Sequence, residues 1–286
     1  MASILSAFTD EAAPTIEAQI LAAMQCGLTH LDLRSIDDYN ITNLPTYIAK
    51  EVHAKLSSAG LKVCMFGSPI GKIDIADDFA IDVEKMERLA ELSPILGTKI
   101  VRIFSYYNAQ GQSKNEWRCE SIRRLELLIG LAKKHDLILY HENESDIYGD
   151  HPDQVLELAE LQCEQFRLIY DFANYLRTGE KPMESWGKLR DVTDCFHLKD
   201  QRWNNEHTPI GLGDTKAKEI LADAVEHGFN GPIIVEPHLT HSEAVLSTHS
   251  TGTGDLSLAS LTPTETFELA VRTAKSLLDE VGVHLS

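Results

Sequence analysis

No stretch of the 286-residue chain approaches the roughly 20 consecutive apolar residues that a membrane-spanning helix needs. Cysteine is also sparse. The five residues Cys26, Cys64, Cys119, Cys163 and Cys195 are odd in number, widely spaced and without a Cys-x-x-Cys pair, which speaks against a disulfide framework and fits reduced thiols in a cytosol. Positive charge is in short supply, with 26 Lys and Arg against 44 Asp and Glu and a net charge of -18. A nucleic-acid partner is therefore not expected, because binding a phosphate backbone normally rests on a basic surface. The N-terminus opens directly on Ser3-Ile-Leu-Ser-Ala-Phe8, with no basic region leading into a long apolar run, so no signal peptide and a cytoplasmic location are expected. No Gly-x-Gly-x-x-Gly follows the first strand candidate, which removes the usual dinucleotide reading.

What is present is ordinary in bulk, 43% hydrophobic and 24% charged, and enough for a substantial core. The organising stretch is Leu137-Ile-Leu-Tyr-His-Glu-Asn-Glu144. It runs a short apolar strand into a cluster of polar and acidic side chains. Carboxylates at the rim of a core are tolerated when they are paired or hold a cation. Three later stretches repeat the pattern: Arg167-Leu-Ile-Tyr-Asp171, Cys195-Phe-His197 and Ile233-Ile-Val-Glu236. Together they offer Glu142, Asp171, His197 and Glu236, three carboxylates and one imidazole, a set suited to one divalent ion, manganese foremost, with zinc, cobalt or magnesium as alternatives.

Four further strands precede these, at Ile4–Phe8, Thr29–Leu33, Leu61–Phe66 and Lys99–Phe104. Helical periodicity separates the strands, around residues 16–24, 44–58, 81–96, 120–134, 155–161, 185–189 and 216–227, and a last helix covers about 264–281. Eight apolar strands alternating with helices predict parallel strands buried on both faces, and the eightfold count predicts one closed (β/α)8 TIM barrel over residues 1–286. Functional residues of such a barrel gather at the C-terminal ends of its strands, so four ligands at four consecutive strand ends can converge. The Ser/Thr/Gly-rich run His241 to Leu261 is expected to form a flap over the mouth.

The chain resembles the xylose isomerase-like superfamily of sugar phosphate isomerases and epimerases over nearly its whole length. The likeness lies in Phe8-Thr-Asp-Glu11, Gly67-Ser-Pro-Ile-Gly-Lys72, Arg102-Ile-Phe-Ser105, His141-Glu-Asn-Glu144, Tyr170-Asp171, Phe196-His-Leu-Lys-Asp200, Gly211-Leu-Gly-Asp214 and Val235-Glu-Pro-His238. It implies the same four metal ligands and a mechanism in which the ion polarises a sugar carbonyl, a proton is removed to give an enediolate, and Glu142 and Glu236 act as acid and base from opposite faces. A substrate with a leaving group beta to the carbonyl would instead be eliminated. The chain departs from the pattern at Asn174 and Glu144, where relatives often carry His, and this bears on which reaction is run.

Substrate contacts are expected from Arg102, Asn174, His238 and Glu11, with pairing to a neighbouring carboxylate as the other reading of Arg102 and an ion pair between Glu11 and Arg34 as an equal reading of those two. Asp200 is read as a partner behind His197 or a loop residue, and Gly211-Leu-Gly213 as a structural turn near where barrels often bind phosphate. The resulting expectation is a metal-dependent sugar or sugar-phosphate isomerase or epimerase. The alternatives are a lyase or dehydratase on an inosose or keto-sugar, and a carbohydrate-binding barrel without turnover. A small-molecule substrate, no nucleic-acid or membrane partner, and a homo-oligomer complete the expectation.

Overall fold

Short aliphatic runs become the eight strands of one parallel wall, and they are apolar on both sides because both sides are covered. The strands are β1 (Leu5–Ala7), β2 (His30–Leu33), β3 (Lys62–Phe66), β4 (Ile100–Ile103), β5 (Ile138–Glu142), β6 (Phe166–Asp171), β7 (Cys195–Leu198) and β8 (Ile233–Val235). The computed structural model describes residues 3–239, 253–254, 256–258 and 260–285. Neighbours pair in chain order from β2 to β8, and β8 returns to pair with β1. The register runs Ser6 to Ile234 to His197 and on to Asp171, which sets the later strand ends level. Between β1 and β2 the wall closes through a single bridge, Phe8 to Asp32.

Side chains alternate across the wall except on β3, where the pairing with β2 shifts register and the consecutive Cys64 and Met65 share one cluster. Phe8, Cys64, Met65, Tyr140, Ile169, Cys195 and Ile234 fill the barrel interior, while Leu139, Val101 and Leu168 face the outer core shared with the helices. Those helices are α1 (Ile16–Gln25), α2 (Thr46–Ser58), α3 (Ala80–Leu96), α4 (Lys114–His135), α5 (Pro152–Ala159), α6 (Phe172–Arg177), α7 (Pro182–Leu189), α8 (Ala217–Glu226) and α9 (Pro263–Glu280). The predicted barrel is thus the observed one, with two differences. Helix α4 begins at Lys114, six residues before the expected start, because a capping box formed by Ser113 and Glu116 opens it ahead of its apolar stripe. Helix α6 was not expected at all, since it follows β6 with no turn former between them. The expected flap from His241 to Leu261 lies for the most part outside the described residues.

The stretch after β3 is laid alongside the end of β4. Phe104 N–H donates to Ile70 O and Tyr106 N–H to Gly71 O, both at 2.8 Å. Gly71 has φ 84°, and a Cβ there would stand 2.2 Å from the Phe104 carbonyl oxygen, so only glycine fits. This close approach carries Lys72 over the Phe104 ring, 4.3 Å from its centroid, into the barrel mouth. Gly71→Ala is expected to cost more than about 2 kcal/mol from backbone strain and overlap together. Chemical denaturation against the parent measures it.

On the outer face of β5, His141 is fully buried, and neither ring nitrogen has a hydrogen-bond partner among the described residues. Its ring stands against Gly149, where a Cβ would fall 2.6 Å from the His141 Cε1. Burial pushes its pKa down to about 4, only partly opposed by the Glu142 charge. The unfolded chain then binds more protons between that value and the ordinary histidine range. Stability contributed by a neutral His141 is therefore present above about pH 6.5 and lost as pH falls towards 4, by up to about 3 kcal/mol. His141→Leu is expected to flatten that part of the stability-versus-pH curve, read as the difference between variant and parent.

Candidate metal centre

The sequence predicts four ligand-type side chains at successive strand ends, and the register delivers all of them to one place. One ligand atom from each of Glu142, Asp171, His197 and Glu236 lies within 4.8 Å of every other, and all four residues are buried. His197 Nδ1 is the hub, 3.2 Å from Glu142 Oε1 and 3.1 Å from Glu236 Oε2. Burial works against a charged imidazole there, but the two carboxylates outweigh it and raise its pKa to about 9. Phe8 forms the floor, edge-on to His197 at 5.7 Å, with the Arg34 and Arg102 guanidinium groups each 4.8 Å from its ring centre.

Three buried cations tie the cluster together. Arg34 grips Asp10 with two bonds of 2.8 and 3.0 Å, and reaches Glu236 Oε1 at 3.0 Å and Glu11 Oε1 at 3.4 Å. Arg102 Nη1 lies 3.2 Å from both Glu142 Oε2 and Glu236 Oε1. Lys199, 2% exposed, places Nζ 2.9 Å from Asp171 Oδ2 and 3.8 Å from Glu236 Oε2. Asp10, Glu11, Glu142, Asp171 and Glu236 thus face Arg34, Arg102 and Lys199, so the set is short by one positive charge with His197 protonated and by two once His197 is neutral, as a metal ligand must be. One divalent cation makes up that deficit.

The titration behaviour has the same sense. Burial raises Asp171 to about 7 against the pull of Lys199, and raises Glu11 to about 8 against that of Arg34, so protons stand in for missing positive charge. Glu236 is the opposite case. Its burial is overcome by Lys199, Arg102 and the histidines, which hold it well below the usual carboxylate range. Glu142 Oε2 and Asp171 Oδ2 have no aligned hydrogen-bond donor among the described residues, their cationic neighbours lying off the bonding direction. Unaligned, buried carboxylate oxygens in a cluster lacking positive charge fit a divalent ion that takes oxygen and imidazole ligands.

Two asparagines fix the spacing of Glu142 and Asp171. The Asn143 side-chain amide accepts from Asp171 N–H at 2.8 Å and donates to Asp171 O at 3.1 Å, continuing the β5–β6 pairing one step past the strands. Asn174 then donates from Nδ2 to Asn143 O at 2.9 Å, and its backbone N–H caps Asp171 Oδ1 at 2.9 Å. Asp171 is therefore the N-cap of α6 as well as a ligand candidate. Asn143→Ala is expected to weaken divalent-ion affinity by about 10- to 100-fold, the range seen when a group supporting a ligand is lost. Calorimetric titration with manganese measures it.

The other expected substrate contacts fall into two groups. Arg102, Glu11 and His238 join the same cluster, with Arg102 3.2 Å from Glu236 Oε1 and His238 Nε2 3.5 Å from Glu236 Oε1 and 3.6 Å from Glu11 Oε1. His238 adopts φ 51°, a conformation held by Glu11 Oε2, which accepts its backbone N–H at 2.9 Å. Asn174 spends its Nδ2 on Asn143, and its Oδ1 has no partner among the described residues. Glu144 bridges Lys72 at 3.0 Å and Arg177 at 3.9 Å. Burial tends to raise its pKa, but Lys72, Lys199 and Arg177 hold it at about 2. Asp200 turns away from His197 into its own loop. Sequence reading underused Lys199 and Asn143, although both stand inside the runs that carry the ligands.

Fold and cluster define the class: a (β/α)8 barrel with a candidate divalent-metal site at its C-terminal mouth. The chain belongs to the xylose isomerase-like TIM barrel family, whose model matches residues 20–251. A curated relative, 3-dehydroshikimate dehydratase of Bacillus anthracis, is 25% identical over 128 residues, 44% of this chain and 46% of the relative. The matched region thus spans about half the length of that relative. Among solved structures, the IOLI protein with a bound zinc atom superposes with a TM-score of 0.73 at 16% identity, covering 98% of this chain and 99% of that one. The probable 3-DHS dehydratase AsbF of Bacillus anthracis gives 0.69 at 17% identity, covering 96% and 98%. At these identities the superpositions establish the fold.

Proposed function

We propose that the protein is a divalent-metal-dependent dehydratase that removes water from a β-hydroxy ketone of the keto-sugar or inosose class. The observation that carries this reading is the unequal commitment of the two glutamates. Epimerisation takes a proton from one face of the substrate and returns one to the other, so it calls for two carboxylates free to exchange protons. Glu236 is engaged at both oxygens, Oε1 by Arg34 and Arg102 and Oε2 by His197. Glu142 keeps Oε2 without an aligned donor among the described residues. One available base suits elimination better than the isomerase or epimerase chemistry the sequence first suggests. The dehydratase name of the curated relative points the same way.

Glu142, Asp171, His197 and Glu236 would hold the ion, with manganese the first choice for three carboxylates and one imidazole. When bound, the ion supplies Lewis-acid polarisation of the substrate carbonyl and so acidifies the adjacent C–H. Glu142 takes that proton and passes it to the departing β-hydroxyl, so water leaves, a carbon–carbon double bond forms and the carboxylate is regenerated. Glu236 stays ionised and holds His197 in place. Arg102 steadies Glu142 and Glu236, while Asn174, His238 and Glu11 face the substrate's remaining oxygens.

The test is a panel of keto-sugars and inososes incubated with manganese-loaded protein in deuterated solvent, followed by mass spectrometry and ultraviolet absorbance. A product lighter by one water with conjugated-enone absorbance is expected. A product of unchanged skeleton carrying one solvent deuteron would replace the dehydratase by an epimerase, and tight binding without exchange would leave a carbohydrate-binding barrel.

A further inference from the structure

The loop between β7 and β8 is built like an oxyanion site, and it is already filled. Asp200 closes a short hairpin with residues 206–208, after which the chain turns through Gly211-Leu-Gly-Asp-Thr215 back over the Asp200 side chain. Its carboxylate then accepts five hydrogen bonds. Gly211 N–H donates to Oδ2 at 2.8 Å and Gly213 N–H to the same oxygen at 3.0 Å. Gln201 N–H, Thr215 N–H and the Thr215 hydroxyl donate to Oδ1 at 2.8, 3.4 and 2.7 Å. Converging backbone N–H groups from glycine-rich turns are what a phosphate is usually held by. In (β/α)8 barrels such a site often lies in the loops after the seventh and eighth strands, where this loop stands.

We propose that Asp200 is a built-in anion occupying the oxyanion nest of this loop, so that the place after β7 where barrels of this kind often hold a phosphate is closed to an external phosphate. The space argument supports the charge argument. A Cβ on Gly213 would stand 2.2 Å from Asp200 Oδ1 and 2.5 Å from the Gln201 carbonyl oxygen, so the loop is closed down on the carboxylate with no room for a second anion. Asp200 is 1% exposed, and its donors work against the rise in pKa that burial imposes. The loop is also sewn shut from outside, with Asp214 N–H donating to Gln201 O at 2.9 Å and Trp203 N–H to Asp214 Oδ2 at 3.0 Å.

The nest is tested without turnover and stands apart from the dehydratase reading. Thermal unfolding of the parent, Asp200→Ala and Asp200→Ala/Thr215→Val is followed in inorganic phosphate and in chloride of equal ionic strength. The parent is expected to show no phosphate-specific shift. Asp200→Ala is expected to melt lower in chloride and to recover in phosphate, by roughly 3 °C at a tenfold excess over its Kd. The double variant should bind phosphate at least several-fold more weakly, having lost one of the loop's donors. An Asp200→Ala protein that gains nothing from phosphate, or that folds in neither buffer, overturns the nest. A phosphate-specific shift in the parent as large as in the variant overturns the claim that the nest is filled. If the nest holds and no keto-sugar loses water, the dehydratase reading falls alone.

Discussion

Glu142→Gln is expected to leave the barrel folded while turnover falls by about 100- to 10,000-fold, the range for loss of a general acid–base group. The fold survives because the substitution is isosteric and Glu142 Oε2 carries no aligned hydrogen bond among the described residues. Arg102 and His197 each keep Glu236 as a partner, at 3.2 and 3.1 Å. Divalent-ion affinity should also fall, by more than the loss predicted for Asn143→Ala, since a ligand rather than its support is removed. Metal content by elemental mass spectrometry, calorimetry and single-turnover assays at saturating manganese separate the two effects. Unchanged turnover in a metal-loaded Glu142→Gln protein would remove Glu142 as the base.

Arg34→Met should be the most damaging single change to stability, about 3–5 kcal/mol, because it strips a partner from buried carboxylates instead of removing a charge pair whole. Arg34 is 4% exposed and contacts Asp10, Glu11 and Glu236, of which Asp10 has it as a two-pronged partner. Guanidinium-chloride unfolding of parent and variant gives the difference. The double variant Arg34→Met, Glu11→Gln should recover part of it, since one of the stranded charges is gone. A loss below about 1 kcal/mol would mean that the cluster re-forms around Arg102 and Lys199.

The sequence made the ligands legible because each closes an apolar run, a local pattern whose strand end is visible without knowing the fold. What the ligands touch was harder to read. Lys199 meets Asp171, and Asn143 meets the Asp171 backbone, through pairing of strand ends that no local signal encodes. Arg102 was anticipated either as a substrate group or as the partner of a carboxylate, and the structure supplies two carboxylates for it. Asp200 was legible either as a partner behind His197 or as a loop residue, and the second holds: the glycines of its own loop take up its carboxylate. Helix α6 escaped notice because Asp171 is at once strand end and helix cap, so nothing in the chain punctuates the change.

The wall of the barrel is fastened unevenly. β1 and β2 share one backbone bridge and β3 and β4 one registered pair, Phe66 with Val101, whereas β5 and β6 are paired at four registered positions. Local opening costs least where fewest bonds must break, so amide hydrogen exchange should report the first breathing of the wall along these two seams. The side chains that span the β1–β2 seam are those of the site: Arg34, standing just past β2, holds Asp10 and Glu11 beyond β1 and Glu236 beyond β8. The charge cluster is therefore also the latch of the barrel. Whatever settles the charge at the mouth, whether a proton, a metal ion or a substrate, also sets how often the wall opens.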